Sequence, residues 1–124
     1  QSLYISAPEL SQIAAIEAFH ASEELERVKA RYASNRDLLA HRLPELGFAL
    51  AAPMDGAFYA FCDVSQLTND SMEFARRMLN EAHVAATPGR DFDPQHGHRY
   101  MRFSYAGSHR DMEEALARIE RWLR

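Results

Sequence analysis

The chain has 124 residues, a formal net charge of −4, 47% hydrophobic residues and 26% charged residues. This length supports one core, and the absence of low-complexity tracts and like-charge blocks excludes a disordered chain. Scattered arginines on an acidic background argue against a nucleic-acid partner, and no apolar run approaches the ~20 residues of a membrane span.

The single cysteine, Cys62, has no internal partner and lies in an apolar run, which fits a reducing, cytoplasmic compartment. The first residues lack the basic-then-apolar pattern of a secretory signal. A start at Gln1 rather than Met is expected of a processed chain or of a piece of a longer one.

Ser6-Ala7-Pro8-Glu9 has the form of a capping box and predicts a helix carrying Leu10, Ile13, Ile16 and Phe19 inward, with a pause near His20-Ala21-Ser22. A longer helix follows from Ser22. Leu25, Val28, Tyr32, Leu39, Leu43 and Leu46 form its stripe, and Pro44 and Gly47 end it. Glu23, Glu24, Glu26, Arg27, Lys29 and Arg31 lie mostly off that stripe, as a solvated face does.

Phe48 to Ala52 and Ala57 to Val64 read as two strands joined by Pro53-Met54-Asp55-Gly56, since Asp-Gly between alternating runs signals a hairpin. Asp70-Ser71-Met72-Glu73 opens a helix with Phe74, Ala75, Met78 and Leu79 inside. A short strand, His83 to Thr87, is stopped by Pro88-Gly89, and a polar loop runs from Arg90 to Arg99.

The next strand sends Met101, Phe103 and Tyr105 to one face and Tyr100, Arg102 and Ser104 to the other. Ser108 and Asp111 then start a last helix with Met112, Leu116, Ile119 and Leu123 as its stripe, flanked by Ala115 and Trp122. The order is helix, helix, strand, strand, helix, strand, strand, helix. It predicts an α+β fold: a small, mainly antiparallel sheet of three to four strands with helices on one face and the other face uncovered.

Arg102 projects from that uncovered face, where its planar fork of donors suits a carboxylate or phosphate. For an arbitrary strand arginine, an internal ion pair or plain solvent exposure is the more common explanation. His96 and His98 lie near Asp91 and Asp93, but in a glycine-containing loop without a metal-ligand spacing, so a solvated loop is expected. Lys29 is the only lysine, and it sits among glutamates rather than in the desolvated setting a Schiff-base lysine needs. No nucleophile elbow or phosphate-binding glycine loop is present.

Four stretches, "YISAPELSQIAAIEAF", "APMDGAFYAFCDVS", "VAATPGRDFDPQHGHRYMRFSYAGS" and "MEEALARIERWL", resemble in order and spacing the C-terminal part of class I/II pyridoxal-phosphate-dependent aminotransferases of fold type I. The resemblance covers nearly the whole chain. It implies that residues 1–124 are a small domain, with residues 1–20 as the helical connection from a missing large domain.

The resemblance also implies that Arg102 binds the α-carboxylate of an amino-acid substrate, and that Gly56 and Phe58 approach the substrate side chain. The family usually has Gly after the loop Phe, whereas this chain reads Phe92-Asp93. Pyridoxal phosphate belongs to the parent enzyme and is not expected to bind these residues alone, because the catalytic lysine and the phosphate-binding groups lie in the large domain. The implied partners are that domain, an amino-acid or keto-acid substrate and a second copy of the parent, with neither nucleic acid nor membrane involved. Two other readings remain open at this point: a non-catalytic domain binding an amino acid or small carboxylate, and a protein-interaction domain using the bare sheet face.

Overall fold

A computed structural model describes residues 6–124. Tyr4 and Ile5 of the first motif lie outside the described residues. By compactness the chain falls into a first unit ending at Ala30 and a second, Arg31–Arg124.

In the first unit, helix α1 (Glu9–Ala18) breaks at Phe19–Ala21, where the pause is expected. Two expectations fail here. Pro8 takes the N-cap position with no side-chain cap bond, so Ser6 does not form the capping box. The stripe does not turn inward either: no residue of α1 is buried, and Leu10 and Phe19 are 78% and 85% exposed. An apolar stripe points inward only when a surface covers it, and among the described residues nothing covers this one.

Helix α2 (Ser22–Glu45) begins in the first unit and continues into the second. Leu25 is exposed, contrary to its place in the stripe, while Leu39 and Leu43 are buried. Pro44 does not end the helix but sits inside its last turn. The stop comes from Gly47 at φ +90, with Phe48 N–H donating to Leu43 O and Gly47 N–H to Pro44 O, the paired bonds of a Schellman cap.

The second unit holds a four-stranded antiparallel sheet in the order β1 (Ala49–Leu50), β2 (Tyr59–Asp63), β4 (Tyr100–Ser104), β3 (Thr87–Pro88). The fold is therefore α+β, with the expected succession of elements. β1 and β3 are shorter than their sequence patterns suggest. Pro88 belongs to β3 instead of stopping it, which an edge strand tolerates because its outer side needs no donor. β1 and β2 pair as the expected hairpin, but a loop of residues 51–58 joins them and its turn falls at Ala57–Phe58 rather than Asp55-Gly56, with Ala57 left-handed at φ 56.

Asp70 caps helix α3 (Ser71–Arg77), accepting from Met72 N–H and Glu73 N–H at 3.0 and 3.3 Å. The box is half formed: Asp70 N–H goes to Thr68 Oγ1, and Glu73 pairs with Arg76. A π-helical turn, Met78–Ala82, follows; Met78 and Ala82 stay buried on the same stripe as Ser71, Phe74 and Ala75, while Leu79, expected inside, is exposed. Ser108 caps helix α4 (His109–Leu123) by accepting from Asp111 N–H at 3.1 Å.

The core is one cluster. Ala60, Cys62, Val64, Met101, Phe103 and Tyr105 from the sheet side join Leu39 and Leu43 of α2, Phe74 and Ala75 of α3, and Leu116 and Ile119 of α4. Phe48, fully buried, stands edge-on to Phe103 at 5.2 Å. Each such large side chain stabilises the fold by about 1.5–3 kcal/mol. The alternation expected on β4 is thus present, and it fixes which side chains face away from the core.

Candidate functional site

The non-core face of the sheet carries Tyr59, Phe61 and Asp63 from β2 and Tyr100, Arg102 and Ser104 from β4, and none of them is buried. β4 is an interior strand. Arg102 sits opposite Phe61 on one side and Thr87 on the other, so its backbone is held by neighbours on both edges. This pairing makes the position rigid, which a binding group needs.

The guanidinium carbon of Arg102 lies over the Tyr59 ring, 4.1 Å from its centroid, and over the Phe92 ring at 4.3 Å. Among the described residues no carboxylate pairs with it. The charge pair on this face is formed by other groups: Arg99 Nη2 donates to Asp63 Oδ2 at 2.8 Å. The Ser65 hydroxyl and amide, with Arg99 adding to them, hold the Asp63 carboxyl below the usual aspartate range. Asp63 is therefore already satisfied. Phe61 and Tyr100 stack at 5.0 Å and continue the aromatic surface of the face.

Phe92 is carried by the loop between β3 and β4, which is more ordered than its polar composition suggests. Two short 3-10 turns, Gly89–Asp91 and Gly97–Arg99, bracket it. Asp93 Oδ1 accepts from Gln95 N–H and His96 N–H at 2.9 and 3.0 Å, and these amide bonds lower its carboxyl from the ordinary value. Ser71, fully buried, donates its hydroxyl to Gly97 O at 2.8 Å. Asp93 is thus the loop's internal acceptor. His96 faces Asp93, and among the described residues no three metal-ligating groups converge.

Of the residues singled out by sequence, Phe58 packs partly buried beside Tyr32 of α2, with ring centroids 6.0 Å apart, and its ring also lies 4.3 Å from that of Tyr59, one of the two rings over the Arg102 guanidinium. Gly56 is exposed in the loop before β2, and a Cβ added there would meet nothing within 4 Å. Sequence reasoning missed Tyr59 and Phe92, the two rings at Arg102. The strand alternation offered a signal for Tyr59, which shares parity with Phe61; Phe92 lies in a loop where no periodicity applies.

Asn35 was also missed. It is fully buried in α2, donates Nδ2 to Tyr105 O and Gly107 O at 2.9 and 3.0 Å, and accepts from His109 Nδ1 at 2.9 Å. It ties the long helix to the exit of the strand that bears Arg102.

The family model for aminotransferase class I and II matches residues 1–119. This chain belongs to the class I and II aminotransferases. It is 47% identical over 121 residues to a valine–pyruvate aminotransferase of Mycobacterium tuberculosis, covering 96% of this chain and 31% of that protein. It is 36% identical over 125 residues to a (5-formylfuran-3-yl)methyl phosphate transaminase of Methanocaldococcus jannaschii, covering 99% and 32%. A crystal structure of an aminotransferase from Mycobacterium tuberculosis superposes with a TM-score of 0.91 at 46% identity, over 98% of this chain and 32% of that one. This aminotransferase chain therefore spans about a third of the length of the curated relatives it matches.

The family implies pyridoxal phosphate, and the residues present do not fit it. A lysine that forms a Schiff base must lose its proton in a desolvated site. Lys29, the only lysine, is 75% exposed with Nζ 3.2 Å from Glu26 Oε2. What this aminotransferase chain does present is Arg102, on an interior strand and, among the described residues, without a countercharge. Among the described residues no helix is long and apolar enough to cross a membrane.

Proposed function

We propose that residues 1–124 are the small domain of an aminotransferase that moves an amino group between an amino acid and a 2-keto acid, with Arg102 as the binder of the α-carboxylate. Residues 1–20 connect to a large domain, whose residues hold pyridoxal phosphate and supply the electron-sink chemistry. One observation carries the reading: Arg102 stands on an interior strand, on the face away from the core, with two aromatic rings and, among the described residues, no carboxylate as its company. A planar guanidinium in that state has its in-plane donors available to an incoming carboxylate.

Arg102 orients the substrate without making or breaking a bond, so its contribution is positional. Gly56 leaves room beside the loop before β2 for a substrate side chain, and Phe58 supports that loop from the core side. The exposed stripe of Leu10, Ile13 and Ile16 is the kind of surface that the remaining polypeptide of a longer enzyme covers. The parent works as a homodimer in the cytoplasm, where the unpaired Cys62 thiol is stable.

The test is steady-state transamination by the full-length polypeptide carrying this chain, with several amino acids and 2-keto acids. Arg102→Ala lowers kcat/KM for every one of them by roughly 100-fold or more, the size expected when one partner of a desolvated charge pair is removed. Unchanged efficiency across the panel removes Arg102 from the site.

A further inference from the structure

Arg102 carries a long, rotamer-rich side chain, and a subsite built on it works only if something fixes where the guanidinium sits. In a strand arginine that role usually falls to a carboxylate. Here, among the described residues, no carboxylate takes it, and the groups in contact with the guanidinium are the Tyr59 and Phe92 rings, 4.1 and 4.3 Å from its carbon.

Phe92 is 52% exposed, so core burial does not explain its placement. Its loop is instead built to hold it. Asp93 Oδ1 takes two backbone amides, Phe92 N–H and Asp93 N–H both donate to Gly89 O at 2.9 Å, and the buried Ser71 hydroxyl ties down Gly97 O. A large apolar side chain kept partly in solvent by so many polar restraints serves a purpose other than packing. Tyr59 comes from the neighbouring strand at a position fixed by the ladder, paired with Ser104 two residues from Arg102.

We infer that Phe92 and Tyr59 are positioning residues for the carboxylate subsite: their rings stack on the Arg102 guanidinium and hold it with its in-plane donors toward the ligand. This inference rests on the reading of Arg102 given above. The physics is that of a cation over aromatic faces, which attracts without consuming the N–H donors that a carboxylate needs. An acidic partner would fix the same side chain but spend those donors. Rings therefore preorganise Arg102 while leaving it free to bind.

The experiment compares Phe92→Leu, Phe92→Tyr, Tyr59→Leu and Arg102→Ala in the full-length polypeptide, measuring kcat and KM for several amino acids together with the thermal unfolding midpoint. Leucine keeps apolar volume but removes the ring. The expected result is that Phe92→Leu and Tyr59→Leu each raise KM by roughly 3- to 30-fold for all amino acids, with kcat within about twofold. The midpoint of Phe92→Leu stays unchanged and Phe92→Tyr restores KM. If Arg102→Ala is impaired but both leucine variants match the parent, the positioning role is wrong while the carboxylate reading stands. If Arg102→Ala itself has no effect, both fall together. A loss in Phe92→Leu that Phe92→Tyr fails to rescue also overturns the inference.

Discussion

Gly89 and Gly97 pack backbone against backbone, and a Cβ built on Gly89 would lie 2.6 Å from the Gly97 carbonyl oxygen. The reverse substitution is as tight, because a Cβ on Gly97 meets the Gly89 carbonyl group and Arg90 N. These contacts are with main chain, which cannot rotate away as a side chain would.

Gly97→Ala should therefore open the loop that carries Phe92, at a cost of about 1–3 kcal/mol typical of overpacking. Hydrogen exchange reads this directly. The Asp93 and Gly97 amides, which donate to Gly89 O and Asp93 O at 2.9 Å, are expected to lose protection, and unchanged protection would show that the contact does not hold the loop.

Gly56→Ala supplies the opposite case, since a Cβ there has open space and the residue does not use a positive φ. Its unfolding free energy should stay within about 0.5 kcal/mol of the parent. In the full-length enzyme its KM should nonetheless rise for bulky amino acids, if the space is occupied by substrate. A stability loss with unchanged KM would make Gly56 a folding residue.

Asn35 satisfies two carbonyls that follow β4 and accepts a hydrogen bond from His109. Asn35→Leu strands those carbonyls in the interior, and urea unfolding should show a loss of roughly 2–4 kcal/mol. Asn35→Asp should be no better, because a carboxylate cannot donate to either carbonyl. Variants as stable as the parent would mean that water replaces the amide.

The parts of this fold that could be read from sequence are those set by local rules. The alternation through Met101, Phe103 and Tyr105 and the Asp70 and Ser108 caps each depend on a few adjacent residues. What escaped depends on distant partners. The Gly89 to Gly97 contact, the burial of Asn35 beside Tyr105 and the approach of Phe92 to Arg102 join residues that no periodicity links. On α3 and the π-helical turn after it the buried stripe is Ser71, Phe74, Ala75, Met78 and Ala82, narrower than the run of apolar residues, and Leu79 falls outside it. α1 failed for a different reason: amphipathicity identifies the apolar stripe of a helix but not whether this stretch of chain supplies its cover. Arg102 itself could be placed on a face from sequence, but not its two rings.

Asp63 gives the account a pH signature. Its carboxyl is held below the ordinary 3.8 by the Ser65 hydroxyl and amide and by Arg99. A depressed folded-state value means that the contribution is fully present above the unfolded value and is lost as pH falls through the folded one. The stability gap between the parent and Asp63→Asn should thus be largest near neutrality and close as pH falls below the ordinary carboxylate value of 3.8 and through the lower folded-state one. Urea unfolding at several pH values checks it; a gap that widens on acidification would refute the assignment.

The central claim, that Arg102 meets the substrate's α-carboxylate, is tested most directly by deleting each partner in turn within the full-length enzyme. Parent and Arg102→Ala are each assayed with an amino acid and with the matching amine that lacks the carboxylate. The parent is expected to prefer the amino acid by roughly 100-fold or more in kcat/KM, and Arg102→Ala by only a few-fold, because two deletions of one interaction are not additive. An equal preference in both proteins would contradict the account.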